Sequence, residues 1–253
     1  MAEKAAVDPQ AFKKAVDEKT NARLKMWLEI CAHCGLCADT CHFYLANDKD
    51  PKLIPAVKGK KVLQAFKKKD KIDEAFLEDF YWTVYGDCTM CRRCTMFCPF
   101  GIDIATITST GRGLCVSQGK VPENLVKTIE SYYEHGNQME VSTEDWIDTL
   151  EWMEEELQEE LPGATIPIDK KGANLLYTVN AREPKHYPED LAEAAVLFHL
   201  AGENWTVPSE GWEETSLAMF AGDWAACKMQ VESVYEAMDR LKPKRMVVTE
   251  CGH

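Results

Sequence analysis

With 253 residues and a hydrophobic fraction of 45%, the chain is long and apolar enough to bury a core and to form one or two domains. Its formal net charge of -13 argues against a general nucleic-acid binder. There is no apolar run of about 18 residues to span a membrane, and the start "MAEKAAVDPQAFKKAVDEKT" has neither the apolar segment of a secretory signal nor a twin arginine; the expected location is the cytoplasm.

Taken in chain order, "DPQAFKKAVDEKTNARLKMWLEI" reads as helix, with Leu24, Trp27 and Leu28 on one face. It leads into Cys31-x2-Cys34-x2-Cys37-x3-Cys41, followed by His42. A long insert comes next. Pro51 and Pro55 punctuate its first part. Its second part, "KGKKVLQAFKKKDKIDEAFLEDFYWTVYG", spaces Val62, Leu63, Phe66, Ile72, Phe76 and Phe80 as helices do. The insert also holds Lys52, Lys58, Lys60, Lys61, Lys67, Lys68, Lys69 and Lys71. Such a bias could dock an acidic partner or a membrane surface, but a solvated helix face is the plainer reading and is the one taken here.

The second run is Cys88-x2-Cys91-x2-Cys94-x3-Cys98, closed by Pro99. After it, "DIATITSTGRGLCVSQGKVP" and "ENLVKTIESYYEHGN" read as two more helices. "STEDWIDTLEWMEEELQEELPG" is an acidic helix with a capping box in which Asp145 answers Ser142. Its Trp146, Leu150, Met153 and Leu157 form an apolar stripe that reads as core. "LPGATIPIDKKG" reads as a linker. Beyond it come "GANLLYTVN", "NWTVPS" and "KRMVVTEC" as strands, alternating with helices at "YPEDLAEAAVLFHLAG" and "DWAACKMQVESVYEAMDRLK". That alternation predicts a small parallel α/β unit. The sequence stops at Cys251-Gly252-His253, on the strand edge where such sheets bind ligands. This raises the expectation of a fragment, of half of a split protein, or of a tail that tucks into a partner.

The expected organisation is therefore an α-helical ferredoxin domain over 1–140, an acidic helix and linker over 141–171, and a partial α/β unit over 172–253.

Eleven cysteines are many for a reducing compartment, where clustered thiols usually hold metal or do redox chemistry. Eight of them fall in the two runs. A C-x2-C-x2-C loop curls three thiolates onto one Fe4S4 cube, and in chains with two such runs the fourth cysteine ligates the other cluster. Pro99 fixes φ and helps the chain turn away. The spacing thus predicts two [4Fe-4S] clusters. One takes Cys31, Cys34, Cys37 and Cys98; the other takes Cys88, Cys91, Cys94 and Cys41. Zinc prefers two cysteine pairs separated by a longer spacer, so a zinc-stabilised scaffold fits the spacing poorly. A cube with four protein thiolates has no open iron, so these clusters read as an electron wire and no catalytic residue is expected on them. Arg92 and Arg93 inside the second loop either raise that cluster's potential or are simply solvated. Cys115 and Cys227 read as small buried hydrophobes. His42, His186 and His199 read as satisfied or surface histidines. Cys251 is a candidate additional ligand to a partner's cluster.

The paired runs, the helical insert, "CTMCRRCTMFCPFGIDI" and the tail "RMVVTECGH" resemble the heterodisulfide reductase-like iron–sulfur subunit family. The likeness is to its C-subunit-type ferredoxin domain joined to the start of a cysteine-rich CCG domain. It extends to K-type subunits of dissimilatory sulfite reductase-linked membrane complexes and to subunits of complexes that exchange electrons with multihaem cytochromes. The resemblance implies an electron-relay subunit of an oxidoreductase complex. Its partners would be a CCG-domain catalytic subunit and a membrane cytochrome b or flavoprotein subunit, and it would sit free in the cytoplasm or on the membrane's cytoplasmic face through a partner. CCG domains can hold a noncubane cluster that cleaves a disulfide, so a truncated disulfide or thiol reductase is the alternative. Here Met219 and Phe220 in "MFAGDW" stand where the family has paired cysteines, which makes the CCG unit degenerate.

Overall fold

The computed structural model describes residues 7–68, 71–215 and 217–249. The chain divides into two compact units. The first is residues 1–126 together with Met219–Trp224; the second is 127–218 together with 225–253.

The first unit is helical among its described residues. Helix α1 (Pro9–Lys19) and helix α2 (Ala22–Glu29) replace the single helix expected from the sequence. The break follows from Asn21, whose side chain accepts from the Leu24 N–H and so starts a new helix. Helix α3 (His42–Ala46) follows the first cysteine run, and a short 3-10 turn (Pro51–Leu53) leads into α4 (Pro55–Lys67). Helix α5 (Glu74–Tyr81) runs into a π-helical turn at Trp82–Gly86. Helix α6 (Arg93–Met96) lies within the second run.

Helix α7 (Ile104–Val116) is the centre of this unit, with every residue from Ile104 to Cys115 buried except the half-buried Thr106. Its small residues make that burial feasible. A Cβ on Gly111 would lie 2.8 Å from Val84 Cγ1 and 3.2 Å from both Phe80 and Val62, so neighbouring elements pack directly against the backbone. The surrounding core is built from Phe12, Val16, Leu24, Val62, Phe80 and Ile107. Cys115 is buried in it, as the sequence indicates, and burial pushes its thiol up to about 12.

Segment Met219–Trp224 folds with this unit. Gly222 has φ +81°, and a Cβ there would meet the Gly113 nitrogen at 2.6 Å. Only glycine satisfies both conditions. The Tyr85 hydroxyl donates to the Ala221 carbonyl at 2.6 Å. The sequence places this segment wholly in the α/β part; long-range contacts, which leave no local pattern, put it in the first unit instead.

The division between units falls within α8 (Glu123–His135), earlier than the boundary at 140. Helix α9 (Thr143–Glu160) is capped as expected: Ser142 Oγ accepts from the Asp145 N–H at 3.0 Å and donates to its carboxylate at 2.7 Å. It is core rather than connector. Trp146, Leu150, Met153 and Leu157 are buried, and Trp146 stacks on Trp212 at 4.7 Å.

Strands β1 (Leu175–Thr178), β2 (Trp205–Thr206) and β3 (Arg245–Val248) form a parallel sheet in the order β2-β1-β3. Leu175 pairs with both Trp205 and Arg245. Helices α10 (Arg182–His186) and α11 (Glu189–Leu200) connect β1 to β2; α12 (Leu217–Ala221) and α13 (Trp224–Leu241) precede β3. The parallel three-stranded unit is the one expected.

Glu213 is buried beyond the end of β1, accepting from the Gln138 N–H at 2.7 Å and the Ala181 N–H at 3.4 Å. Burial raises its carboxyl to about 7. An unfolded glutamate titrates near 4.3. The folded state therefore binds this proton more tightly, and the associated stability is lost as pH climbs through that window. Glu213→Gln removes the loss. The unfolding free energy of the variant minus that of the wild type should rise between roughly pH 5 and 7 and then level off, as denaturant titrations at each pH would measure.

Candidate metal centre

The two cysteine runs place left-handed residues at the same positions. In the first loop His33 and Gly35 have φ of 53° and 86°; in the second, Met90 and Arg92 have φ of 57° and 61°. These are the second and fourth residues after the leading cysteine in each loop. Left-handed residues at alternate positions are a feature of the backbone nests that bind anions at iron–sulfur sites. Three of the four positions carry a side chain, so the conformation is held against its ordinary cost. The chain then leaves Cys98 through a turn in which the Gly101 N–H donates to the Cys98 carbonyl at 3.0 Å, with Pro99 next to the corner.

The eight cysteines surround two cavities. One is lined by Cys31, Cys34 and Cys37 with Cys98 from the other run. The other is lined by Cys88, Cys91 and Cys94 with Cys41 from the first run. Cys94 and Ile104 line both, so the cavities share a wall. A zinc ion would need its sulfurs about 2.3 Å from one point; among the described residues, no three His, Cys, Asp or Glu side chains are grouped to hold a single ion. The thiols line the walls of the two cavities. Burial raises the Cys94 thiol to about 12, helped by Cys88, Cys37, Cys91 and Cys41. Crowded thiols of this kind ionise when a metal core compensates their charge. Donor type, nests and cavity walls all fit [4Fe-4S] clusters.

The charged surroundings differ from the sequence reading. Lys58 is not on a solvated face. It is 3% exposed, lines the second cavity, donates to the Asp87 carbonyl and lies 3.9 Å from Cys41 Sγ. Lys52, Lys60, Lys67, Lys68 and Lys71 are exposed, and Lys61 pairs with Asp79; Lys69 lies outside the described residues. Arg92 and Arg93 line the second cavity from its exposed side, with Arg92 3.5 Å from Asp103.

Arg112 was not foreseen. It is 3% exposed on α7, and donates to the carbonyls of Val84 at 2.8 Å, Cys88 at 2.5 Å and Phe220 at 2.6 Å. Burial lowers its pKa, yet an arginine stays charged. His42 is nearer the site than its lack of partner spacing implied: its Nδ1 is 4.0 Å from Cys91 Sγ. His33 Nδ1 is likewise 3.7 Å from Cys31 Sγ. His186 and His199 are exposed, Cys227 is half-buried rather than buried, and Cys251 lies outside the described residues.

Residues 27–102, which contain both runs, match the 4Fe-4S dicluster domain family. The chain contains a 4Fe-4S dicluster domain. Beyond this domain, the whole chain is 25% identical over 268 residues to the Hdr-like menaquinol oxidoreductase iron-sulfur subunit of Archaeoglobus profundus, which covers 96% of this chain and 46% of the relative. It is 25% identical over 271 residues to iron-sulfur subunit 2 of the same type from Archaeoglobus fulgidus, covering 96% and 47%. The chain spans about half the length of the curated relatives it matches. The resemblance to heterodisulfide reductase-like iron–sulfur subunits stands. Among the described residues no helix is long and apolar enough to cross a membrane.

The left-handed positions give a test in the dicluster domain. Met90→Gly and His33→Gly should retain iron, because glycine adopts φ near +55° without cost. Met90→Val and His33→Val should lose about half of it or more, since a β-branched residue resists this region. Iron per chain after anaerobic gel filtration is the measurement.

Proposed function

We propose that this chain is an electron-transfer iron–sulfur subunit of a heterodisulfide reductase-like redox complex, carrying two [4Fe-4S] clusters. Cys31, Cys34, Cys37 and Cys98 hold the first; Cys88, Cys91, Cys94 and Cys41 hold the second. The observation that supports this reading is the pair of cavities, each lined by three cysteines of one run and the fourth of the other. The bound clusters supply one-electron redox chemistry.

The protein's own residues do the rest. The nests hold anionic groups with backbone N–H donors. All four thiolates at each site are protein ligands, which leaves no iron position for substrate and favours relay over catalysis. The shared wall at Cys94 and Ile104 keeps the transfer step between sites short. Cys98 and Cys41 cross between the runs, so each site depends on both.

The relatives are menaquinol oxidoreductase subunits by name. That favours a membrane quinol module over a flavoprotein as one electron-exchange partner, with a CCG-type catalytic subunit as the other. The chain would then work at the cytoplasmic face of the membrane, held there by its partner. The second unit, with its parallel sheet, is read as a CCG-like fold without a cluster of its own, because the resemblance puts its paired cysteines at Met219 and Phe220, which are not cysteines and fold with the first unit.

Anaerobic purification should yield about eight iron atoms and eight sulfides per chain from two four-iron clusters. Zinc without iron would sink the reading. Cys98→Ser should damage the site shared with Cys31, Cys34 and Cys37 and spare the spectrum of the other. Loss confined to the Cys88 site would show that the fourth ligands are not exchanged.

A further inference from the structure

The two sites differ in one respect that cysteine spacing does not carry. The wall of the first cavity has no lysine or arginine: beyond its cysteines it offers Leu36, Ala56, Phe100 and Ile102, with His33. The exposed Lys60 and Glu29, one of each sign, line only the neighbouring cavity behind Cys31. The second cavity is lined by Lys58, Arg92 and Arg93. Behind it, Arg112 donates to the Cys88 carbonyl, and none of its three acceptors is a carboxylate.

The opposing groups on that side are Asp103, which caps α7 and pairs with Arg92, and Asp87, which faces Lys58. The histidines are balanced, one beside a cysteine of each site. Two cations on that side are buried, Lys58 and Arg112, and of these only Lys58 faces a carboxylate. A buried charge is screened far less than an exposed one. Lys58 acts directly on the Cys41 sulfur; Arg112 acts through the carbonyl of a ligand residue.

We infer that Lys58 and Arg112 hold the Cys88–Cys91–Cys94–Cys41 site at a higher reduction potential than the Cys31–Cys34–Cys37–Cys98 site, so that electrons entering the chain come to rest at the second. The inference rests on the two-cluster reading above. The physical reason is that adding an electron makes a cluster more negative, and a nearby buried cation stabilises that state selectively. The step it directs is a single electron leaving a reduced cluster at the first site and reducing an oxidised cluster at the second. No bond is made or broken and no proton moves.

The experiment is an EPR-monitored redox titration of the anaerobically purified full chain. Cys34→Ser and Cys91→Ser, both at exposed cysteines, assign each signal to its site. In the wild type the second site should be reduced first. Lys58→Met should lower its reduced-to-oxidised ratio at a fixed ambient potential at least tenfold, or 59 mV for one electron, and shift the first site by less than a third as much. Arg112→Met should act in the same direction, while Arg112→Lys, which keeps the charge, should remain within about threefold of wild type. A first site of equal or higher potential in the wild type overturns the inference whether or not the variants fold. So does a Lys58→Met chain with full iron and an unshifted second site, or with both sites shifted equally. An iron content near four or zero in the wild type would instead overturn the two-cluster reading itself.

Discussion

The close packing of α4 against α7 is the constraint on which the metal centre depends. The two cysteine runs are separated by the whole insert, yet the fourth thiol of each must reach the cavity of the other. This requires a rigid frame between them. Pro55 at the first turn of α4 pre-sets the helix. Gly111 leaves room for neighbours that a side chain would exclude, with Val84 Cγ1 only 2.8 Å from a Cβ placed there, while a Cβ on Gly59 would sit in ordinary contact with Ile104 at 3.4 Å. Ile104, at the start of α7, then becomes wall for both cavities. The insert is therefore structural in the strict sense. It supplies one of the two helices that set the cysteine runs face to face.

That same helix pair delivers the two buried cations, Lys58 from α4 and Arg112 from α7. Burying an unpaired charge is costly, and proteins usually avoid it or compensate it. Here the compensation is partial and local: the Asp87 carboxylate facing Lys58, backbone carbonyls, a cysteine sulfur, and aromatic faces at 5.1 Å for Lys58 over Phe43 and 5.0 Å for Arg112 over Tyr85. In the proposed two-cluster reading, an anionic centre beside them would complete the balance. The cations and the thiolates thus explain each other, since each set would be unfavourable alone.

The eight cysteines, the helical character of the first unit and the parallel sheet of the second were legible because they depend on spacing and periodicity. The break between α1 and α2 was legible too, in Asn21, but a continuous apolar face hid it. Lys58 shares the helical register of Val62 and Ala65, so its burial was there to be read; seven neighbouring lysines made it look like one of a solvated set. Arg112 gave no comparable signal. It sits among small residues in "TSTGRG", and only the tertiary positions of the Val84, Cys88 and Phe220 carbonyls reveal its work. The left-handed residues Met90 and Arg92 were invisible for a related reason, since nothing in their side chains favours that conformation; for His33 the mild preference of histidine for positive φ was the only trace.

Segment Met219–Trp224 has a further consequence for how this protein can be dissected. The first unit is not a contiguous piece of chain. A fragment ending near residue 126 would keep every cysteine of the two runs, yet leave an Arg112 N–H without its Phe220 carbonyl, the Tyr85 hydroxyl without Ala221, and the backbone at Gly113 uncovered. No single cut releases an intact cluster-binding unit.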